Sequence, residues 1–393
     1  MRFSSPSGKI YLAVFALVVA GGSAFVALAP KSSTPDSRTP LKRVPVVKEP
    51  KKPAKPQKQW IRAKGLHVTG WIAGGKKSFQ KFVDLCNRTE LNALCIDIKD
   101  SDGVVSYDTE VPLERKIEAS RKCIADIDQV LRKMVDNDIY PIARIVVFKD
   151  PILATAELEM AVKKSDGSIW RDRSGIAWTN PYDRRVWEYN VDIAVECAKL
   201  GFKEIQWDYV RFPSDGDISL CVYPDKTDQT ESEIIAGFLK YARERLEPYG
   251  VVISADIFGL TSLVKHDMGI GQTIKLMAEH VDYICPMVYP SHYALGEYGI
   301  SNPNKAPYKT VLLTLRDAVK EVKGTKCKIR PWLQDFSLRG VSYGKNEVLA
   351  QRKAAKEVGL TEFLLWNPRC EYTEAALAEQ GMGSRDQALR DKH

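Results

Sequence analysis

The chain of 393 residues lacks the motifs of several common enzyme classes. Its five histidines are scattered, and there is neither a His-Glu-x-x-His segment nor a Cys-x-x-Cys pair, so a zinc hydrolase or metal-dependent deacetylase would have no ligand set. Neither Ser174 nor Ser254 lies in a Gly-x-Ser-x-Gly elbow, which argues against an esterase of the α/β-hydrolase type. We predict no metal and no cofactor.

Excess positive charge is missing from most of the chain. The formal net charge is +8, but residues 1–59 contribute +9, which leaves −1 for residues 60–393. Nucleic-acid binding therefore lacks its electrostatic support, and we predict no nucleic acid and no obligate protein partner. The eight cysteines show no framework spacing, and several lie within apolar segments, so we expect buried thiols.

Long apolar runs are absent except near the amino terminus. Arg2 and Lys9 precede an apolar run over residues 10–29, about the 20 residues that span a bilayer. We predict a signal anchor at 1–29, with a cleaved signal peptide as the alternative. The protein is then exported, and it is membrane-anchored facing the periplasm or extracellular space, or secreted. Residues 30–59 carry seven prolines and nine Lys or Arg, which predicts a disordered, semi-rigid spacer of roughly 90 Å.

Apolar strands alternate with amphipathic helical patterns in the remaining sequence. Strands are predicted at 66–73, 91–99, 139–148, 204–212, 251–258, 281–289, 327–336 and 362–367. Helices are predicted at 79–89, 123–136, 184–200, 231–246, 272–280, 308–322, 345–358 and 373–379. Eight such units predict an α/β fold, a closed (β/α)8 TIM barrel over residues 60–385 with a tail at 386–393. A doubly wound open sheet is the alternative, although no Gly-x-Gly-x-x-Gly segment follows the first strand.

Two predicted strands carry a carboxylate near their carboxyl end. Gln206 and Asp208 share one face of the fourth strand, and Ser254 and Asp256 share one face of the fifth. A buried carboxylate is costly and more often serves chemistry than packing. The carboxyl ends of barrel strands meet at one mouth, so we predict that Asp208 and Asp256 form a pair that cleaves sugars. Parallel strands about 4.8 Å apart favour the short carboxyl spacing of retaining enzymes.

The other strand ends are polar and aromatic, as a carbohydrate site requires. Flat sugar faces stack on Trp and Tyr, and sugar hydroxyls need amide, carboxylate and cationic partners. The candidate substrate-binding residues are Trp71, Asp97, Lys99, Arg144, Gln206, Arg211, Tyr289, His292, Trp332, Gln334, Trp366 and Asn367.

Structural interpretations stay open for several of these residues. The alternative role for Asp208 is that of a structural carboxylate paired with Arg211 or Arg144 inside the barrel mouth. Asp97 and Lys99 are a rival catalytic pair or an internal ion pair that braces the barrel. Asp335 follows Gln334 and is expected on the opposite face of its strand.

Seven motifs in order carry a family resemblance. They are Gly70-Trp71, DIKDSDG at 97–103, QWDYVRFPSDG, SADIFG, PMVYPSHY, RPWLQDF and LLWNPR. Over residues 65–370 the chain resembles a bacterial family of glycoside hydrolase domains with a TIM-barrel fold. Relatives in the wider barrel superfamily, including the alpha-amylase clan, imply Asp208 as the nucleophile and Asp256 as the acid/base. That clan usually has Glu at the fifth strand, so Asp256 is one methylene shorter.

The resemblance and the sugar-like site together predict a glycosidase. The expected substrate is a polysaccharide of the cell envelope or extracellular matrix. A carbohydrate-binding or scaffold barrel without turnover is the main alternative, and a polysaccharide lyase or transglycosylase that uses the same carboxylates is a third.

Overall fold

The computed structural model describes residues 56–264 and 266–378. Its strands are β1 (Lys64–Val68), β2 (Ala93–Lys99), β3 (Tyr140–Val146), β4 (Glu204–Asp208), β5 (Val252–Phe258), β6 (Tyr283–Val288), β7 (Lys328–Ile329), β8 (Trp332–Gln334) and β9 (Phe363–Trp366). All pairings between them are parallel, and the pairings β5–β6 and β9–β1 close the sheet on itself. The predicted closed barrel is confirmed.

The seventh barrel strand consists of two segments, β7 and β8. Both pair with β6, through Lys328 opposite Tyr283 and Trp332 opposite Met287. Pro331 lies between the segments, and proline has no N–H to donate to a neighbouring strand. The barrel therefore has eight strand positions, as the sequence predicts.

Helices cover the outside of the barrel. They are α1 (Gly70–Gly74), α2 (Lys76–Arg88), α3 (Pro112–Ile117), α4 (Ile127–Val135), α5 (Pro151–Ala156), α6 (Arg184–Leu200), α7 (Glu231–Leu246), α8 (Ile274–Ala278), α9 (Pro307–Glu321) and α10 (Lys345–Glu357). The predicted bounds of α6 and α7 are confirmed. Clear terminal signals explain this, because α6 ends at Gly201 with φ +116° and α7 begins with a capping box of Thr230 and Glu233.

Two predicted elements are wrong at the ends of the barrel. The first strand stops at Val68, because Thr69 caps α1 and its hydroxyl accepts a hydrogen bond of 3.3 Å from the Ile72 N–H. The helix predicted at 373–379 is, within the described residues, only a single 3-10 turn at Glu374–Ala376.

The predicted anchor, residues 30–55 of the predicted spacer and the predicted tail lie outside the described residues. Within residues 56–264 and 266–378, no helix combines the length and the hydropathy needed to cross a bilayer.

Side chains alternate between the barrel interior and the helical layer. Trp207 points outward and packs edge to face on Phe238 of α7, with ring centroids 5.1 Å apart. At the amino end of the barrel Arg330 pairs with Glu204, and the Ser254 hydroxyl donates to Glu204 Oε1 at 2.6 Å. Seven of the eight cysteines are buried, which confirms the expectation of buried thiols.

Candidate active site

Polar side chains converge inside the carboxyl end of the barrel. β2 supplies Asp97, β3 supplies Arg144, β4 supplies Gln206 and Asp208, and β5 supplies Asp256. All five are buried. Gln206 lies opposite Ser254 and Trp207 opposite Ala255 in the β4–β5 register, so the next row contains Asp208 and Asp256. Since Trp207 faces the helices, its neighbours along the strand face inward.

Arg144 joins two carboxylates in the floor of this site. Its guanidinium donates to Asp208 Oδ2 through Nε at 3.0 Å and Nη2 at 2.5 Å, and to Asp97 Oδ1 through Nη1 at 2.5 Å. The other oxygen of Asp208 accepts the Tyr209 N–H at 2.6 Å. Of the structural interpretations of Asp208, pairing with Arg144 is therefore the one observed.

His67 holds the second oxygen of Asp97. His67 Nε2 lies 2.8 Å from Asp97 Oδ2, and both side chains are buried. Burial alone would raise the pKa of Asp97, but the neighbouring His67 and Arg144 outweigh it and lower that pKa to about 2. Asp97 is thus an ionised residue that neutralises Arg144 from the side opposite Asp208.

Asp256 is in a different environment. Its Oδ1 accepts hydrogen bonds from Gln206 Nε2 at 2.6 Å and Trp332 Nε1 at 2.8 Å, and the residue is only 1% exposed. Burial and the nearby negative charge of Asp208 raise the pKa of Asp256 well above its usual range, against the opposing effects of Arg144 and of the two donors. The site therefore combines one carboxyl group that accepts three N–H donors with a second carboxyl group whose pKa is raised by burial and by the nearby Asp208.

Aromatic rings form a wall above these carboxyl groups. Trp366 stacks on His67 with ring centroids 3.9 Å apart, and the Arg144 guanidinium carbon lies 5.0 Å from its ring centroid. Trp332 meets Trp366 edge to face at 5.6 Å. Tyr289 is buried, and burial together with the charges of Asp256 and Asp208 raises the pKa of its hydroxyl.

A cavity of about 470 Å³ opens beside this wall. Its lining includes Tyr289, His292, Phe336, Leu338, Trp366 and Asn367. Four of these residues are among the predicted substrate contacts, and the structure brings them together. The cavity has the apolar faces and scattered polar groups of a sugar subsite.

Gln334 and Asn367, two of the predicted substrate contacts, are held by hydrogen bonds within the protein, which limits the polar groups that they can offer to a substrate. The Gln334 side chain accepts the Ser291 N–H at 3.0 Å and donates to the Phe336 carbonyl at 2.8 Å, which fixes the loop after β6. Asn367 Nδ2 donates to the carbonyls of Asp335 and Glu371, although the residue also lines the cavity. The Asp335 carboxylate binds the Thr373 N–H and hydroxyl.

Lys99 lies away from the carboxyl pair. A register shift between Asp97 and Lys99 turns the Lys99 side chain into the helical layer, where it is fully buried. Its ammonium donates to the Val146 carbonyl and to Asn190 Oδ1 on α6 and forms an ion pair of 2.6 Å with Asp150. The prediction of a substrate contact at Lys99, or of its pairing with Asp97, is thus at odds with its position.

Trp71 and Arg211 occupy unexpected positions. Trp71 lies on α1 instead of ending a strand, and it is 69% exposed. Arg211 is buried between aromatic rings and forms no ion pair with Asp208. The sequence leaves open whether Arg144 or Arg211 is the partner of Asp208. In the structure that partner is Arg144.

The candidate set predicted from the sequence lacks His67, Tyr209 and Phe336. His67 could be found by alternation, since it falls between Leu66 and Val68 in an apolar strand. Tyr209 has φ +48°, a left-handed conformation that is strained for an aromatic residue and that aims its N–H at Asp208. No sequence signal marks this strain.

A resident metal has no evident site in the described chain. Within residues 56–264 and 266–378, no group of three or more His, Cys, Asp or Glu side chains is arranged to hold an ion.

A closed parallel barrel with carboxyl groups and aromatic rings at its carboxyl end is the frame on which many enzymes carry their active sites. Residues 65–372 match the family described as "Putative glycosyl hydrolase domain", and the chain belongs to that family. No curated protein matches the chain.

The chain is similar to several solved structures. A hypothetical protein from Ruminiclostridium thermocellum ATCC 27405 is 43% identical over 49% of this chain and 96% of its own, with a TM-score of 0.46. The glycoside hydrolase domain of PgaB (BpsB) from Bordetella bronchiseptica is 12% identical over 82% of this chain and 99% of its own, with a TM-score of 0.58. The chitobiase of Flavobacterium johnsoniae is 11% identical over 84% of this chain and 50% of its own, with a TM-score of 0.51.

Proposed function

We propose that the protein is a retaining glycoside hydrolase in which Asp208 is the nucleophile and Asp256 the acid/base. The observation that carries this proposal is the contrast between the two carboxyl groups. Asp208 is paired with a cation, whereas burial and the charge of Asp208 raise the pKa of Asp256 well above its usual range. Glycoside hydrolysis needs one carboxyl group of each kind.

The reaction proceeds in two steps, formation of an Asp208 ester and its hydrolysis. The Asp256 proton moves to the glycosidic oxygen as the bond to the anomeric carbon breaks, while an Asp208 oxygen forms the new bond to that carbon. Water then attacks the same carbon, Asp256 accepts a proton from this water, and the Asp208 ester bond breaks. Arg144 and the Tyr209 N–H hold the Asp208 carboxylate in place. Neighbouring parallel strands about 4.8 Å apart support the short spacing of a retaining pair.

The substrate class follows from the cavity and from the amino-terminal sequence. The rings of Tyr289, Trp366 and Phe336 offer stacking faces for a polymer of sugars. The predicted anchor and spacer would hold the barrel outside the membrane, within reach of a polysaccharide of the cell envelope or extracellular matrix. We therefore propose that the protein is exported and attached to the membrane.

The test is a screen of the full chain in detergent against peptidoglycan strands, amino-sugar exopolysaccharides and alpha-glucans, with reducing ends counted. Asp208→Asn and Asp256→Asn should each lower kcat at least a thousandfold on the polymer that is cleaved, since each removes a group used in the transition state. Asp335→Asn is the matched control, because Asp335 lies at the same barrel end but binds Thr373. If both active-site variants keep wild-type turnover, the assignment is wrong.

One observation favours a carbohydrate-binding barrel without turnover. Both oxygens of Asp208 accept hydrogen bonds from the protein, as in a purely structural ion pair. A binding protein would retain glycan in the wild type, in Asp208→Asn and in Asp256→Asn, and none of the three would release reducing ends. Binding without any cleavage across the screen would replace the first proposal with this one.

A further inference from the structure

Arg211 is a buried cation that forms no ion pair with a carboxylate among the residues that the structure describes. The residue is 6% exposed, and its guanidinium carbon lies 4.8 Å from the ring centroid of Trp178, 5.0 Å from Tyr209 and 4.6 Å from Phe258. Three ring faces therefore enclose the guanidinium, and these contacts favour its positive charge.

Within residues 56–264 and 266–378, the hydrogen bonds of Arg211 leave one edge of the guanidinium without a protein acceptor. Nη1 donates to the Phe212 carbonyl at 2.9 Å. In the described part of the chain no carboxylate forms an ion pair with Arg211, whereas the other buried Lys and Arg residues have one: Lys99 with Asp150, Arg144 with Asp97 and Asp208, and Arg330 with Glu204. A buried guanidinium is costly unless an anion pairs with it.

The position of Arg211 is next to the proposed reaction centre. Tyr209 directly follows Asp208, and Phe258 ends β5 two residues after Asp256. Lys149 adds a second cation, with its ammonium 5.1 Å from the centroid of the same Tyr209 ring. Arg211 therefore lies in the segment that leaves the carboxyl end of β4, three residues after Asp208.

We propose that Arg211 binds the carboxylate of an acidic sugar in the substrate, at a subsite beside the cleaved bond; this inference rests on the proposed function. The edge formed by Nε and Nη2 presents two parallel N–H donors, which match the two oxygens of a carboxylate. The aromatic rings exclude water and strengthen this pairing. The sugar carboxylate can belong to a uronic acid or to the lactyl group of a muramic acid.

The first test uses the wild-type full chain and matched pairs of small ligands. Titration calorimetry or NMR should show glucuronic acid binding on the order of tenfold tighter than its neutral amide, glucuronamide, as charge-assisted hydrogen bonds predict. N-acetylmuramic acid against N-acetylglucosamine forms the second pair and separates the two sources of the carboxylate. Equal affinities within both pairs would overturn the inference, as would tight binding of glucose 6-sulfate alone.

The second test uses variants at Arg211. Arg211→Gln should abolish the difference within the pair that the wild type distinguishes, and Arg211→Lys should weaken it, because lysine keeps the charge but loses the paired donors. Arg184→Gln is the control: Arg184 stacks on Trp187 and Tyr241 on the outer helices and should leave the difference intact. If Arg211→Gln does not fold, Arg211→Lys and the ligand pairs decide.

Ligand binding and polymer cleavage, measured on the same protein, test the carboxylate subsite and the glycosidase activity separately. Asp208→Asn should lose turnover while keeping the preference for the acidic ligand. A wild type that hydrolyses a neutral polymer and shows no preference for carboxylates would keep the glycosidase and refute the subsite. A wild type that prefers carboxylates but cleaves no polymer would keep the subsite and refute the glycosidase.

Discussion

At the residue scale, the surroundings of Asp208 and Asp256 make two identical carboxyl groups chemically different. Arg144 and a backbone N–H compensate the charge of Asp208, while Asp256 has only neutral donors, Gln206 and Trp332. Trp332 was predicted as a sugar contact, but its indole N–H binds Asp256 directly. This hydrogen bond lowers the pKa of Asp256, against the effect of burial.

This contact predicts how the pH dependence of the reaction responds to Trp332→Phe. An acid must be protonated to act, so kcat/KM falls as the pH rises through the raised pKa of Asp256. The Trp332 N–H lowers that pKa, so its removal should shift the alkaline limb to higher pH. A pH–rate profile measures the shift.

The control for this change is Trp187→Phe, since the Trp187 N–H donates to the Pro181 carbonyl on the outer surface of the barrel. It should leave the profile unchanged. An alkaline limb that stays in place in Trp332→Phe, or moves to lower pH, contradicts the assignment of Asp256 as the acid.

At the element scale, the register shift in β2 decides which side chains reach the site. Regular alternation places Asp97 and Lys99 on one face, and this expectation made Lys99 a candidate contact. The shift sends Lys99 to Asp150 and Asn190 in the outer layer and leaves Asp97 inside. A bulge depends on how two strands pair, so one strand's sequence does not reveal it.

We predict that Lys99→Met destabilises the fold by about 3–5 kcal/mol, because the fully buried Asp150 loses its counter-charge. Urea denaturation measures this loss. Lys320→Met removes an exposed pair with Asp317 and should cost less than about 1 kcal/mol. If Lys99 instead bound substrate, the variant would raise KM and keep wild-type stability.

At the scale of the whole molecule, the sequence predicts the barrel better than its site. Eight alternating units determine the closed sheet, and capping residues determine α6 and α7. The choice of Arg144 over Arg211 as the partner of Asp208 depends on which layer of the interior each side chain enters, and residue spacing does not encode that. The strained conformation of Tyr209 arises from tertiary packing in the same way.

The two ends of the barrel divide stability from chemistry. The amino end contains the buried pair of Arg330 and Glu204, and Ser254 completes it, whereas the proposed pair lies at the carboxyl end. Active sites of TIM barrels lie at the carboxyl end, and residues at the other end serve stability. The same interior thus contains ionic groups with two different tasks.

This division predicts the behaviour of Arg330→Met. The variant leaves Glu204 buried without a counter-charge and should lose about 3–5 kcal/mol of unfolding free energy. Glu204→Met combined with Arg330→Met should recover most of that loss, because an apolar pair replaces the ionic one.

Below the unfolding temperature of each variant, turnover of the cleaved polymer should stay within about twofold of wild type, since no group at the carboxyl end changes. Thermal unfolding and reducing-end assays on the same samples measure both quantities. A loss of turnover in the folded double variant would mean that the ionic interior acts as one unit from end to end.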